Sequence, residues 1–220
     1  IRDSCPPVRN WFKDKFPDFT EPQKVAIPRI LNGEHLLLCS PTGSGKTLTA
    51  FLTIIDDLVR RSLDGSLPDA VQCVYISPIK ALANDIEKNL MGPLGEIKER
   101  YLPSRAKEIK VGLRTGDTPQ SEREKMLRKP PHILITTPES LGLGLASKRF
   151  RPILDQMKWF IIDEMHSLVP TKRGTHLSLS MALMDSVVSS DVQRIGISAT
   201  MEPLDAVAEF LVASDSRESD

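Results

Sequence analysis

The chain is expected to fold as an α/β protein built on a mostly parallel central sheet with helices on both faces. Three observations point there. Short, nearly all-apolar runs recur along the chain, as strands covered on both faces require. Segments of helical period separate these runs, and strand–helix–strand alternation closes as parallel crossovers. The polar motifs fall just past the C-terminal end of a run, where open parallel sheets hold their ligands.

Taken in order, the elements follow from local pattern. Residues 1–18 form an N-terminal lead-in segment. Its aromatics, Trp11, Phe12 and Phe16, with Phe19 beyond it, either pack a helix, the favoured reading for most of them, or stack on a base. Residues 35–40 predict the first strand. Residues 46–61 predict a helix, with Leu48, Phe51, Leu52, Ile55 and Leu58 at helical spacing. A surface loop over 62–71 carries Gly65, Ser66 and Pro68. Strands are then expected at 72–77, 109–115, 132–136, 159–163 and 194–198. Helices are expected at 79–98, 119–129, 138–146, 175–188 and 203–211, the fifth-last strand through the last alternating with them. Within 175–188 the apolar series is Leu177, Leu179, Leu183 and Val187. Pro119, Pro138 and Pro203 stand where a helix tolerates proline, at its first turn.

Composition narrows the classes. With 220 residues the chain can bury a large core without disulfides or metals. Its formal net charge is zero, so any nucleic-acid surface must be local. Cys5, Cys39 and Cys73 lie far apart without metal-ligand spacing; Cys39 and Cys73 sit in apolar runs and read as small core residues of a reducing compartment. No run approaches 18 consecutive apolar residues, which argues against a spanning helix and a membrane partner. Ile1-Arg2-Asp3 resembles neither a signal peptide nor an initiator, and the chain is expected to begin inside a longer protein.

The most informative stretch is Ser40-Pro41-Thr42-Gly43-Ser44-Gly45-Lys46-Thr47, set between an apolar run and a helix. Gly43 and Gly45 let successive N–H groups point at one spot, and the following helix adds its positive end. Lys46 can reach β- and γ-phosphates and the Thr47 hydroxyl can ligate Mg²⁺. The stretch departs from G-x-x-x-x-G-K-[ST] only in carrying Ser40 for the first glycine. A nucleoside triphosphate is the implied ligand.

A second motif, Asp163-Glu164-Met165-His166, follows the apolar Trp159-Phe160-Ile161-Ile162. Asp163 at a strand end can hold Mg²⁺, usually through water. Glu164 is then placed to polarise an attacking water. An acidic turn closing a strand is the structural alternative. His166 is by itself an ordinary histidine, or a link from the γ-phosphate site to neighbouring groups. Ser198-Ala199-Thr200 ends the last strand, either as a capped turn or as a hydrogen-bond relay from the carboxylate loop.

In this order, Ser40–Thr47, Asp163-Glu164-Met165-His166 and Ser198-Ala199-Thr200 resemble motifs I, II and III of superfamily 2 helicases of the DExH type. Thr20-Glu21-Pro22-Gln23 with Ala26-Ile27-Pro28 resembles the Q-motif region, which makes Gln23 the implied adenine reader. Ser77-Pro78-Ile79-Lys80-Ala81-Leu82-Ala83, Arg114-Thr115-Gly116-Asp117 and Thr137-Pro138-Glu139-Ser140-Leu141 resemble motifs Ia, Ib and Ic. The resemblance thereby implies nucleic-acid backbone contacts at Pro78, Lys80, Ala81, Thr115, Gly116, Asp117, Thr137, Pro138, Glu139 and Ser140. Arg114–Thr118, 128–134 and 172–177 are similar to the large helicase-related (Lhr) group, and the likeness runs from about 19 to 211.

That resemblance implies a RecA-like P-loop NTPase domain over 19–212, a three-layer sandwich, with 213–220 a tail or linker toward a second RecA-like lobe. It implies ATP and Mg²⁺ as ligands, catalytic roles for Lys46, Asp163, Glu164 and His166, and coupling through His166, Ser198 and Thr200. It favours a DNA strand, 3′-to-5′ movement, a role in repair and the cytoplasm of a prokaryote. Met165 stands where many relatives have Ile or Val, a volume-conserving swap. Nothing after Thr200 resembles motifs IV to VI. The family's arginine finger lies in the second lobe and is worth roughly 10³–10⁵ in rate, so slow hydrolysis and no unwinding are expected of these residues alone. From the residues themselves, Thr137-Pro138-Glu139 is also a good helix start and Thr115-Gly116-Asp117 a good turn. The pair Lys172-Arg173 is a solvated loop or a contact to nucleic acid or a partner domain. Two other functions stay in view: an ATP-gated nucleic-acid-binding switch without unwinding, and a small-molecule kinase, whose substrate lid and lid arginines are not evident.

Overall fold

The computed structural model describes residues 4–41, 45–78, 86–199 and 203–212. Six strands lie within or next to the expected runs: β1 (Leu36–Cys39), β2 (Cys73–Ile76), β3 (Val111–Arg114), β4 (Ile133–Thr136), β5 (Trp159–Ile162) and β6 (Gln193–Ser198). They form one sheet in the order β1-β6-β5-β2-β4-β3, and each neighbouring pair is parallel. The edge strands β1 and β3 are the least buried, whereas β2, β4 and β6 are buried throughout.

Side chains alternate across the sheet and so build two cores. One face carries Cys73, Tyr75, Ile133, Ile135, Ile161, Ile195 and Ile197. Against it pack α1 (Pro6–Lys15), α3 (Lys46–Asp64) and α4 (Gly92–Tyr101), the last entered through a π-turn at Glu87–Met91. The other face carries Val74, Ile76, Leu134, Phe160 and Ile162. It is covered by α6 (Pro138–Leu145), α7 (Met165–Leu168), α8 (Lys172–Asp185) and α9 (Leu204–Val212). The exposed α5 (Gln120–Arg128) sits at the sheet's edge, sending only Met126 and Leu127 toward this core. Among the described residues no helix is long and apolar enough to cross a membrane.

The favoured packing of the lead-in aromatics is seen for Trp11 and Phe12, and several other local expectations are revised. The lead-in residues Cys5, Val8, Trp11 and Phe12 belong to the first core itself, and burying side chains of this size is worth roughly 1.5–3 kcal/mol each. A helix not expected from periodicity, α2 (Glu21–Leu31), starts on a capping box between Thr20 and Gln23 and tolerates Pro28 inside it. The loop expected at 62–71 starts later, because α3 runs to Asp64 and ends on Gly65 in the left-handed conformation. Of the helix expected at 79–98, residues 79–85 lie outside the described set, and the rest is helical as expected, a π-turn leading into α4. Helix α8 begins at Lys172, so Lys172-Arg173 is its first turn and not a loop. Its inward face is Leu177, Met181 and Met184, at i, i+4 and i+7; Leu179 and Leu183 point to solvent.

Candidate active site

The loop after β1 is tied at its start to the last strand: Ser40 N–H donates to the Ser198 carbonyl at 3.4 Å. Cys39, half-buried and not a core residue, directs its thiol to the Ala199 carbonyl at 3.1 Å. At the far end Gly45 adopts φ 80° and ψ 17°. A side chain is disfavoured in that left-handed conformation. Helix α3 starts there, and Thr49 in its first turn donates both N–H and hydroxyl to the Gly45 carbonyl at 2.9 and 2.8 Å. The Lys46 ammonium folds back over its own loop, donating to the Ser40 carbonyl and to the Pro41 carbonyl at 2.9 Å. Thr42, Gly43 and Ser44 lie outside the described residues.

Gln23 is buried on α2 beside this loop. Its Oε1 accepts the Thr20 N–H at 3.0 Å. Its Nε2 faces Gly45, close enough that a Cβ built there would lie 3.4 Å away. Of the aromatics, Trp11 and Phe12 are buried, and Phe12 packs on Phe16 and Phe19 with centroids 5.0 and 4.4 Å apart. Phe16 also reaches the cleft described next.

Across the cleft, β5 is followed at once by Asp163, whose N–H donates to the Ile76 carbonyl at 2.8 Å. Both Asp163 carboxylate oxygens are held: Oδ1 accepts the Glu164 N–H at 2.8 Å, and Oδ2 accepts the Tyr75 hydroxyl. Glu164 has φ 54° and ψ 39°, the sole non-glycine residue with positive φ among the described residues. Such a conformation costs about 1–3 kcal/mol and gathers at functional sites. It turns the chain sharply into α7, and Met165 drops into the second core over Gly196, where a Cβ would collide with its sulfur.

His166 on α7 joins the second and third motifs. Its Nδ1 accepts the Ala199 N–H at 3.1 Å and lies 3.4 Å from the Ser198 hydroxyl. A backbone N–H only donates, so Nδ1 carries no proton. In the neutral ring Nε2 carries it, 3.0 Å from the Glu164 carboxylate. Thr200 is outside the described residues. A single cleft of about 710 Å³ is lined by Gln23, Gly45, Lys46, Thr47, Asp163 and Glu164 together. Among the described residues no cluster of three or more His, Cys, Asp or Glu forms a cation cage. The donor set suits Mg²⁺, which takes one or two protein oxygens and completes its shell with phosphates and water.

Of the residues expected to meet a nucleic-acid backbone, Thr115, Gly116 and Asp117 follow β3 and Thr137, Pro138, Glu139 and Ser140 follow β4, at the other end of this rim. Gly116 and Asp117 are exposed in a turn that Thr115 N–H closes onto the Thr118 hydroxyl at 2.8 Å. Arg123, a residue the sequence did not single out, donates to the Thr115 and Gly116 carbonyls at 3.0 and 2.9 Å. Thr137 is buried as the cap of α6, accepting the Ser140 N–H at 3.3 Å, and Pro138 and Ser140 are buried with it. The helix-start alternative is therefore present in full. Glu139 is held by Arg173 through two contacts of 2.5 and 3.1 Å, which keep its carboxyl below the usual range. Pro78 is half-buried, and Lys80 and Ala81 are outside the described residues. Tyr75 was also missed; its one sequence signal is a hydroxyl inside a covered, otherwise apolar strand.

The chain matches the family model described as DEAD/DEAH box helicase over residues 20–208. It is 53% identical over 208 residues to the ATP-dependent helicase Lhr-Core of Methanothermobacter thermautotrophicus, covering 94% of this chain and 24% of that protein. It is 43% identical over 212 residues to the Lhr helicase/uracil glycosylase of Escherichia coli, covering 94% of this chain and 14% of that one. Among solved structures, it superposes with a TM-score of 0.84 and 45% identity on the Mycobacterium smegmatis helicase Lhr bound to single-stranded DNA and AMP-PNP, over 94% of this chain and 26% of that one. The chain thus spans about a quarter or less of the length of these relatives. The fold is the RecA-like one expected from the motifs.

Proposed function

Because the chain belongs to the DEAD/DEAH box helicase family, we propose that it is the first ATPase lobe of an ATP-dependent, Lhr-like nucleic-acid translocase. The observation that carries the reading is one cleft lined by Gln23, Gly45-Lys46-Thr47 and Asp163-Glu164, with Glu164 wired through His166 to Ser198 and Ala199.

In this reading adenine lies near the Gln23 amide, and the phosphates of ATP lie on the N-terminus of α3 and the backbone of 43–47. Lys46 leaves its own loop carbonyls for the phosphates. Thr47 and Asp163 would hold Mg²⁺, which would neutralise charge developing on the transferred phosphoryl group. Glu164 orients a water for in-line attack and takes its proton. Its other interaction, with the His166 Nε2–H, is the route by which Ser198-Ala199-Thr200 senses the state of the site. Pro78, Lys80, Ala81, Thr115-Gly116-Asp117 and Thr137-Pro138-Glu139-Ser140 form the backbone-gripping rim; such contacts position a strand without reading it. The capped Thr137 would serve there through the N–H groups of its helix start. A second RecA-like lobe would supply the other wall of the cleft, as the length of the relatives beyond the matched quarter supports. Single-stranded DNA bound in the structure of the mycobacterial relative favours DNA. Movement from 3′ to 5′, a repair role and a prokaryotic cytoplasm complete the proposal.

The test is ATP hydrolysis by the full-length protein with and without single-stranded DNA or RNA, together with separation of 3′- and 5′-tailed duplexes. Stimulation by a strand is expected; indifference would sink the motor reading. Stimulation without strand separation would assign an ATP-gated switch. Lys46→Ala should lower turnover by at least ~10², and unchanged turnover would remove the phosphate-loop reading.

A further inference from the structure

We infer that Tyr75 is a positioning residue for the metal-holding carboxylate, its hydroxyl fixing Asp163 from inside the sheet. The inference rests on the proposed nucleotide site. Tyr75 is 1% exposed on β2, between Val74 and Ile76, in a strand whose other side chains need no polar partner. As a space-filler a phenylalanine would serve equally. A buried phenol requires a hydrogen-bond partner, and the Tyr75 hydroxyl donates to Asp163 Oδ2, from a residue 88 positions away in the chain. The Glu164 N–H holds Oδ1 at 2.8 Å, so both oxygens are anchored from the protein side. What remains for the cleft is the outer lone pairs of a carboxylate that cannot swing.

The ring is fixed in turn. Phe51 of α3 packs on Tyr75 with centroids 5.0 Å apart and planes at 34°. Phe51 lies on the same helix that begins with Lys46 and Thr47. The phosphate side and the metal side of the site are thereby joined beneath the cleft by the sequence α3, Phe51, Tyr75, Asp163. Hydrogen-bond partners behind a metal ligand are worth roughly 10–100-fold in metal affinity or activity when removed.

Tyr75→Phe in the full-length protein keeps the ring and its packing and deletes only the donor. The readout is equilibrium binding of a fluorescent ATP analogue, titrated with Mg²⁺ and repeated with a chelator, alongside the thermal midpoint. The expected result is a Mg²⁺ requirement raised about 10–100-fold, with chelator-state affinity and thermal midpoint close to wild type. An unmoved Mg²⁺ requirement overturns the inference. So does an equal loss with and without Mg²⁺, or a variant that fails to fold, since either makes Tyr75 a core residue only. The underlying site reading fails separately: in that case wild type itself shows no Mg²⁺ dependence and Lys46→Ala leaves binding intact.

Discussion

At the N-terminal ends of the strands, polar side chains turn onto backbone. Gln193 donates to the Ile30 and Glu34 carbonyls at 3.0 and 2.6 Å, Gln72 to the Gln156 carbonyl at 3.2 Å, and His132 accepts the Lys110 N–H at 2.9 Å. At the C-terminal ends side chains also turn onto one another: Tyr75 onto Asp163, and His166 onto Glu164 as well as onto the Ser198-Ala199 turn. His132 and His166 make the contrast sharp, because each accepts a backbone N–H at Nδ1. They differ in what surrounds Nε2. That of His132 is buried without a well-formed hydrogen bond, the Pro68 carbonyl being its neighbouring acceptor. That of His166 meets a half-exposed carboxylate in an open cleft. A histidine's first hydrogen bond therefore says little about function; its second decides. One end of the sheet uses polar groups to finish strands, and the other uses them to build a connected site.

The contrast can be broken most forcefully at Glu164. Glu164→Gln should retain nucleotide binding and lower ATP hydrolysis by roughly 10²–10⁴ in the full-length protein; near-normal turnover would dissolve the distinction between the two ends. The next effect belongs to His132 and concerns stability. Burial, with Lys107 and Lys110 nearby, pushes its imidazole from 6.5 down to about 4. Between those values the unfolded chain holds a proton that the folded chain does not. Stability is therefore fully present above pH 6.5 and falls as pH is lowered toward 4, by roughly 3 kcal/mol at most. Urea midpoints across that window should fall for wild type and flatten in His132→Asn; an equally steep fall in the variant would assign the acid sensitivity elsewhere.

His166→Ala should act on coupling and not on folding. Stimulation of hydrolysis by a nucleic-acid strand is expected to drop on the order of tenfold, with nucleotide affinity retained. A loss of thermal stability with stimulation intact would make His166 the structural twin of His132. The smallest effect is at Thr137, where Thr137→Ala removes a helix cap worth about 1 kcal/mol, measurable as a lower thermal midpoint. A fall in strand affinity larger than this would show that the hydroxyl also grips phosphate.

Much of the site could be read before the fold. Lys46, Thr47, Asp163 and Glu164 are found on one cleft because a glycine loop and an acidic strand end each carry their chemistry within a few residues. Less visible were features that depend on partners far along the chain. Tyr75 looked like one more apolar strand residue, and Arg173 like a loop cation, until β2 was set beside β5 and α8 against α6. Helix α2 was hidden because Pro22 and Pro28 break up the run that carries its apolar residues Val25, Ala26, Ile27, Ile30 and Leu31; its capping box was the legible signal. Leu179 and Leu183 misled, since leucines on a helix suggest a core while methionines two and one positions away fill it.

By itself the sequence determined where all six strands and most of the helices lie, that the sheet is covered on both faces, and where the candidate phosphate loop and carboxylate pair stand. These are local properties: burial on two faces leaves an apolar run, and a phosphate loop needs its glycines and lysine adjacent. Only the tertiary structure decided the strand order β1-β6-β5-β2-β4-β3, and with it the pairs Tyr75–Asp163, His166–Ala199 and Glu139–Arg173, separated by 88, 33 and 34 residues. A hydrogen bond forms between groups about 3 Å apart, and no period in a chain encodes which distant strand will bring its partner that close.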